Sequence, residues 1–186
     1  MTPEEWFRTL ATAGVDGLQV RERDLDDRAL LDLARHARAA LPPPARLLIN
    51  GRADIALAAG ADGAHLPSDG LPVAVLRRRF GPRLLLGVST HGLEEVERAR
   101  RDGADYVVFG PVYATPGKEE FGPPAGCDRL AGAARVGIPV YALGGVTLPR
   151  LAEVAAAGAA GVAGIRLFQR SADLAAVVSA AREHFV

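Results

Sequence analysis

Proton transfer near neutral pH calls for histidine, and this chain of 186 residues has four. His36 falls on a helical stretch and His184 near the C-terminus, so both read as surface residues. His65 and His91 follow strands. His65 reads either as a buried structural side chain or as part of a site. His91 opens a helix and is the candidate for moving a proton. Anion chemistry has a different signature. Gly144-Gly145 closes the apolar run Val140-Tyr-Ala-Leu143, and Gly164 follows the next run, Gly161-Val-Ala163. Glycines just past a strand let backbone N–H groups turn toward an anion with no Cβ in the way. Two such loops in succession read as a phosphate site at Gly144, Gly145, Gly164, Ile165 and Arg166, although such glycines also make tight turns. Arg166 either strengthens phosphate binding or obstructs the ligand. Arg21 and Arg23 can clamp a carboxylate or phosphate, and Gln19 shares the face of Arg21 on an alternating strand. Lys118 is the only lysine and sits with Thr115 in a long loop from Gly110 to Gly126. Such loops act as lids, and a lysine there reaches a phosphate or carboxylate.

The elements that must hold these residues alternate. The pattern predicts helices at Glu4–Ala13, from Asp26 or Asp27 to Ala40, and at Arg52–Ala59, Val73–Phe80, Leu93–Arg101 and Leu130–Arg135. Further helices are expected from Pro149 to Gly158 and at Ala172–Phe185. Strands are expected at Gly17–Arg21, Leu47–Asn50, Ala64–Leu66, Leu84–Ser89, Tyr106–Phe109, from Val140, and from Gly161. The segment between the last two strands suits only a parallel crossover. The phrase Ala59-Gly-Ala-Asp-Gly63 is echoed at Asp102-Gly-Ala-Asp105 and Gly158-Ala-Ala-Gly161, where helix ends feed strands. This is an α/β chain, a (β/α)8 TIM-barrel-like fold lacking its first strand, with about seven parallel strands in one domain over residues 1–186.

Composition narrows the function. Hydrophobic content of 49% and a net charge of zero describe a soluble globular protein. No basic patch argues for nucleic acid and no apolar run spans a membrane. Cys127 is alone, which excludes an internal disulfide and a cysteine metal cluster. The N-terminus Met1-Thr-Pro-Glu-Glu-Trp6 lacks the bases and apolar core of a signal peptide, so a cytoplasmic location is expected.

The segments Gln19-Val-Arg-Glu-Arg23, Leu48-Ile-Asn-Gly-Arg52 and Gly87-Val-Ser-Thr-His91 run in an order that resembles one family. Gly110-Pro-Val-Tyr-Ala-Thr-Pro-Gly-Lys118 and Ala142-Leu-Gly-Gly-Val-Thr147 continue it. The family is that of thiamin phosphate synthase and thiazole tautomerase, (β/α) barrels that handle phosphorylated thiazole and aminopyrimidine precursors. The resemblance covers nearly the whole chain. It implies a phosphorylated thiazole as ligand, with Gln19, Arg21, Arg23, Asn50, Ser68, Ser89, Thr115 and Lys118 around it and His91 as proton carrier.

Two reactions divide the family. The synthase joins a pyrimidine diphosphate to the thiazole phosphate and needs Mg²⁺, held by carboxylates, on the leaving pyrophosphate. The positions of those carboxylates are Gly51 and Gly70 here, with Asp69 adjacent. Asn50-Gly-Arg52 and Leu66-Pro-Ser68 instead resemble the tautomerase, which moves a proton on a thiazole carboxylate phosphate and uses no metal. Pro111 departs from the tautomerase pattern, where a histidine is expected, and Arg23 and Arg166 replace the usual lysine and small residue. The expectation is a tautomerase-like enzyme without cofactor. The alternatives are a non-catalytic phosphate-binding homologue and the Mg²⁺-dependent synthase. The missing strand leaves an open edge, expected to close by direct pairing of the first and last strands, by the helix bearing Trp6 and Phe7, or by a second copy in a homodimer.

Overall fold

The structure is a computed structural model that describes residues 1–115 and 122–185. The chain forms two compact units, Met1–Gly87 and Val88–Val186.

The first unit opens on α1 (Pro3–Ala13). The Thr2 hydroxyl accepts from the Glu5 N–H while the Glu5 carboxylate accepts from the Thr2 N–H, so two otherwise orphaned donors are satisfied reciprocally. Then follow β1 (Gly17–Val20), α2 (Asp27–Ala40), β2 (Arg46–Asn50), α3 (Ala53–Ala58), β3 (Gly63–Leu66) and α4 (Val73–Phe80). Strand β1 pairs in parallel with β2, Val20 opposite Ile49, and β2 with β3, Asn50 opposite His65. Phe7, Val20, Leu30, Ala34, Leu47, Ile49 and Ile55 make the core where α1, α2 and α3 meet the strands. Asp62, entering β3, ties helix to sheet. Its carboxylate accepts from Arg38 at 2.7 Å, Arg46 at 2.8 Å and the Leu47 N–H at 2.8 Å. Burial pushes this carboxyl up, but the Leu47 N–H and the two guanidiniums outweigh it and hold it below the ordinary value.

Strand β4 (Leu85–Thr90) spans the boundary between the units. The second unit continues with α5 (Leu93–Arg101), β5 (Tyr106–Phe109), α6 (Gly126–Ala134), β6 (Val140–Leu143), α7 (Leu151–Ala156), β7 (Gly161–Ala163), α8 (Arg166–Gln169) and α9 (Leu174–Arg182). Strand β5 pairs in parallel with β6, Phe109 opposite Ala142, and β6 with β7, Leu143 opposite Ala163. Val96, Phe109, Val112, Leu130, Val140 and Val154 form its core. The alternation of strand and helix with parallel pairing is as expected, because each strand's short apolar run needs a crossover helix to return the chain.

Several boundaries differ. Strand β1 ends at Val20, so Arg21 lies past the strand rather than on it. Helix α6 starts at Gly126, four residues before the expected Leu130, because the Ala125 and Gly126 N–H groups are anchored on the Pro111 and Val112 carbonyls. The expected helix from Pro149 is a 3-10 turn, Leu148–Arg150, followed by α7. Strand β7 stops at Ala163, and Arg166 opens the unexpected one-turn α8. Among the described residues β1 pairs with β2 and β7 pairs with β6. Phe7 of α1 enters the first unit's core and the helix packs on α2. No helix among the described residues is long and apolar enough to cross a membrane.

Candidate functional site

In the first unit the expected ligand residues gather at the C-terminal ends of the strands. Register places Gln19 opposite Leu48, one residue from the strand's last pairing, and its Nε2 donates to Asn50 Oδ1 at 3.2 Å. Gln19 is exposed and Val20 beside it is buried, so the alternation read from the sequence holds on the strand itself. Arg21 and Arg23 are exposed just beyond β1, and Ser68 is exposed just beyond β3. No hydrogen bond joins these three to other described residues. Arg52 points elsewhere: it bonds the carboxylates of Asp54 at 2.7 Å and Asp27 at 2.5 Å, pinning the start of α3 to that of α2. His65 is 4% exposed, and its carbonyl accepts the Gly51 N–H at 2.8 Å. Burial, with the positive charge of Arg21 nearby, pulls its imidazole down to about 4. His65 is thus a buried and neutral ring at physiological pH.

The same unit holds the two positions where the synthase pattern has metal-binding carboxylates. Gly51 sits at φ 68, and a Cβ there would meet only the Pro67 ring, at 3.9 Å. Gly70 is different. A Cβ there would lie 3.0 Å from Pro67 Cδ and Cγ and 3.1 Å from its carbonyl oxygen. Pro67 thus stands where a side chain on residue 70 would begin. Among the described residues no group of three or more His, Cys, Asp or Glu is placed to hold a metal ion. The residues present do not fit a two-carboxylate Mg²⁺ site.

In the second unit His91 follows β4. Its Nδ1 lies 2.5 Å from the Gly110 carbonyl oxygen. A carbonyl only accepts, so Nδ1 carries the hydrogen and Nε2 is the acceptor of the neutral ring. The Glu95 carboxylate accepts the His91 N–H at 2.5 Å, and Arg129 donates to the His91 carbonyl at 3.3 Å. The ring is therefore held by the Gly110 carbonyl just past β5, while Glu95 of α5 and Arg129 of α6 hold the His91 backbone. Ser89 is half-buried two residues earlier on β4.

The glycine pair lies against the residues that follow β5. The Val112 N–H donates to the Leu143 carbonyl at 2.8 Å and the Tyr113 N–H to the Gly144 carbonyl at 3.0 Å. Gly144 has φ 97 and Gly145 φ 63. A Cβ on Gly145 would stand 2.7 Å from Tyr113 Cβ and 2.8 Å from the Ala114 carbonyl oxygen. Thr115, whose hydroxyl donates to the Tyr113 carbonyl at 2.9 Å, borders Gly144. Gly164 does not repeat this arrangement, contrary to the sequence reading. Its φ is not positive, and a Cβ there would make an ordinary 3.6 Å contact with Leu167. Ile165 is 60% exposed, and Arg166 is exposed at the start of α8. Lys118 lies outside the described residues.

Two residues at this loop escaped the sequence reading. Arg150 donates from Nη1 to the Gly145 carbonyl at 2.7 Å, and its guanidinium carbon lies 4.1 Å from the centre of the Tyr113 ring. The Tyr113 hydroxyl donates to Glu153 at 2.8 Å and is 3.2 Å from Cys127 Sγ. Burial first, then Cys127 and Glu153, keep that hydroxyl protonated. The available signal was the spacing of Arg150, five residues after Gly145 and directly after Pro149.

The model of the thiamine monophosphate synthase family matches residues 1–168. The chain belongs to that family. A protein of Geobacter sulfurreducens that bears the name thiamine-phosphate synthase with a provisional qualifier is 52% identical over 152 residues, covering 81% of this chain and 71% of that one. The thiamine-phosphate synthase of Anaeromyxobacter dehalogenans is 43% identical over 172 residues, covering 92% and 78%. Among solved structures, the thiamine phosphate pyrophosphorylase of Pyrococcus furiosus superposes with a TM-score of 0.86 at 28% identity, over 97% of this chain and 87% of that one. The fold is accordingly TIM-barrel-like, with seven strands among the described residues, as the sequence implied.

Proposed function

We propose that this chain is an enzyme of thiamin biosynthesis that binds a phosphorylated thiazole. The phosphate rests on the Gly144–Gly145 loop of the second unit. Thiamine-phosphate synthase activity is the leading reading. The observation that carries it is the 43% identity over 92% of the chain to a thiamine-phosphate synthase. On this reading the chain joins the pyrimidine diphosphate to the thiazole phosphate. The tautomerase expected from the sequence becomes the second reading.

One local observation favours that second reading: Gly51 and the Pro67-filled space at Gly70, where the coupling reaction's metal would need carboxylates. Proton transfer on the thiazole carboxylate phosphate needs no such site. His91 suits it, because the Gly110 carbonyl fixes Nδ1 as the donor and leaves Nε2 to take a proton and return it.

One experiment separates the readings. The purified protein is given both precursor sets, once with Mg²⁺ and once with EDTA. Coupling that needs Mg²⁺ establishes the synthase and removes the tautomerase. Thiazole aromatisation that persists in EDTA, falls by about 10²–10⁴ in His91→Ala and comes without coupling does the reverse. Binding without turnover in either arm overturns both and leaves a phosphate-ligand binding homologue.

A further inference from the structure

The carbonyls of the glycine loop are both occupied, by different partners. Gly144 O is held by the Tyr113 N–H, and Gly145 O by the Arg150 guanidinium. Among the described residues, cis peptides are confined to Pro43–Pro44 and Gly110–Pro111, so both peptides here are trans. In a planar trans peptide the N–H points opposite to the C=O. Holding Gly144 O toward Tyr113 therefore turns the Gly145 N–H away from it. Holding Gly145 O toward Arg150 turns the Val146 N–H away in the same manner. Neither N–H has a partner among the described residues. Two successive unpaired backbone donors next to a left-handed glycine are what an anion binds.

Arg150 itself is not offered to the ligand by this geometry. Its guanidinium is half-buried, bonded to Gly145 O and stacked on Tyr113. Tyr113 is in turn fixed through its hydroxyl by Glu153, three residues after Arg150. A planar cation between a carbonyl and an aromatic face satisfies both at once, which a lysine cannot do. We infer that Arg150, stacked on Tyr113, is a positioning residue that orients the Gly145–Val146 backbone donors toward a phosphate ester. The inference rests on the phosphate reading of this loop.

The test measures binding of inorganic phosphate to the full chain by calorimetry, beside urea unfolding of each variant. Arg150→Ala should bind about tenfold more weakly, the loss of one charge-assisted hydrogen bond's worth of orientation. Arg150→Gln, which keeps an N–H donor and drops the charge, should recover most of that loss. The ratio between wild type and Arg150→Ala should be the same at low and high salt, because a charge that never faces the ligand is not screened from it. Wild-type affinity in Arg150→Ala overturns the inference. So does an Arg150→Gln variant as weak as Arg150→Ala with a loss that shrinks in salt, which makes Arg150 a direct ligand. If Arg150→Ala does not fold, Arg150→Gln and Tyr113→Ala decide it by the same comparison. A wild type that binds no phosphate, with Gly145→Ala indistinguishable from it, overturns the phosphate reading and this inference with it. Wild-type binding that Gly145→Ala abolishes and Arg150→Ala spares overturns the inference alone.

Discussion

The ring of Pro67 lies 3.0 Å from the point where a Cβ on Gly70 would stand. Glycine at 70 and proline at 67 are therefore one packing unit, and the absent carboxylate is not a simple omission. Gly70→Asp should cost about 1–2 kcal/mol, because Pro67 must give by a few tenths of an ångström. Gly51→Asp should cost about 1–2 kcal/mol for a different reason, its left-handed φ of 68, with open space around it. Urea midpoints measure both. A Gly70→Asp protein as stable as wild type contradicts the packing argument.

The two expected phosphate loops should respond oppositely to alanine. Gly145→Ala meets Tyr113 Cβ at 2.7 Å and has a positive φ, so it should lose about 2–4 kcal/mol of stability. Gly164→Ala meets an ordinary contact and should stay within about 0.5 kcal/mol of wild type. Equal losses in the two, by chemical denaturation, would contradict the distinction drawn between the loops.

His65 links stability to pH. Its folded value of about 4 lies below the ordinary value of 6.5 that it has in the unfolded chain, so between those values the unfolded chain holds more protons than the folded one. Stability is full above the unfolded value and falls as the pH drops toward 4, by up to about 3 kcal/mol. Other groups titrate in the same window, so the readout is a difference. His65→Asn should flatten the slope of the urea midpoint between pH 6.5 and 4, and Arg21→Ala should raise the imidazole value seen by NMR. An unchanged slope in His65→Asn would show that the ring is not the group responsible.

Much of the fold was legible because the core elements announce themselves. Tyr106-Val-Val-Phe109 and Val73–Phe80 begin and end where their apolar spacing says. The misses share a cause, since they concern contacts between segments distant in sequence. Helix α6 starts early through bonds to Pro111 and Val112, which no local pattern of Gly126-Cys-Asp-Arg129 reveals. Gly164 and Gly145 are the same letter, yet only Gly145 is wedged against Tyr113. The Gln19–Asn50 bond joins two residues the sequence had singled out separately, and strand register is what brings them together. Arg150 looked like one arginine among many, because its role depends on a ring 37 residues upstream, at Tyr113.

Cys127 is the chain's single cysteine, and its sulfur lies 3.2 Å from the Tyr113 hydroxyl. Burial holds the thiol above its ordinary value, so it reacts slowly at neutral pH. A thiol-directed probe can therefore attach at one address alone, beside the aromatic ring on which Arg150 rests. Fluorescence or mass labelling of this protein is by construction a local reporter of the glycine loop's support. It needs no background cysteines removed and no label introduced elsewhere.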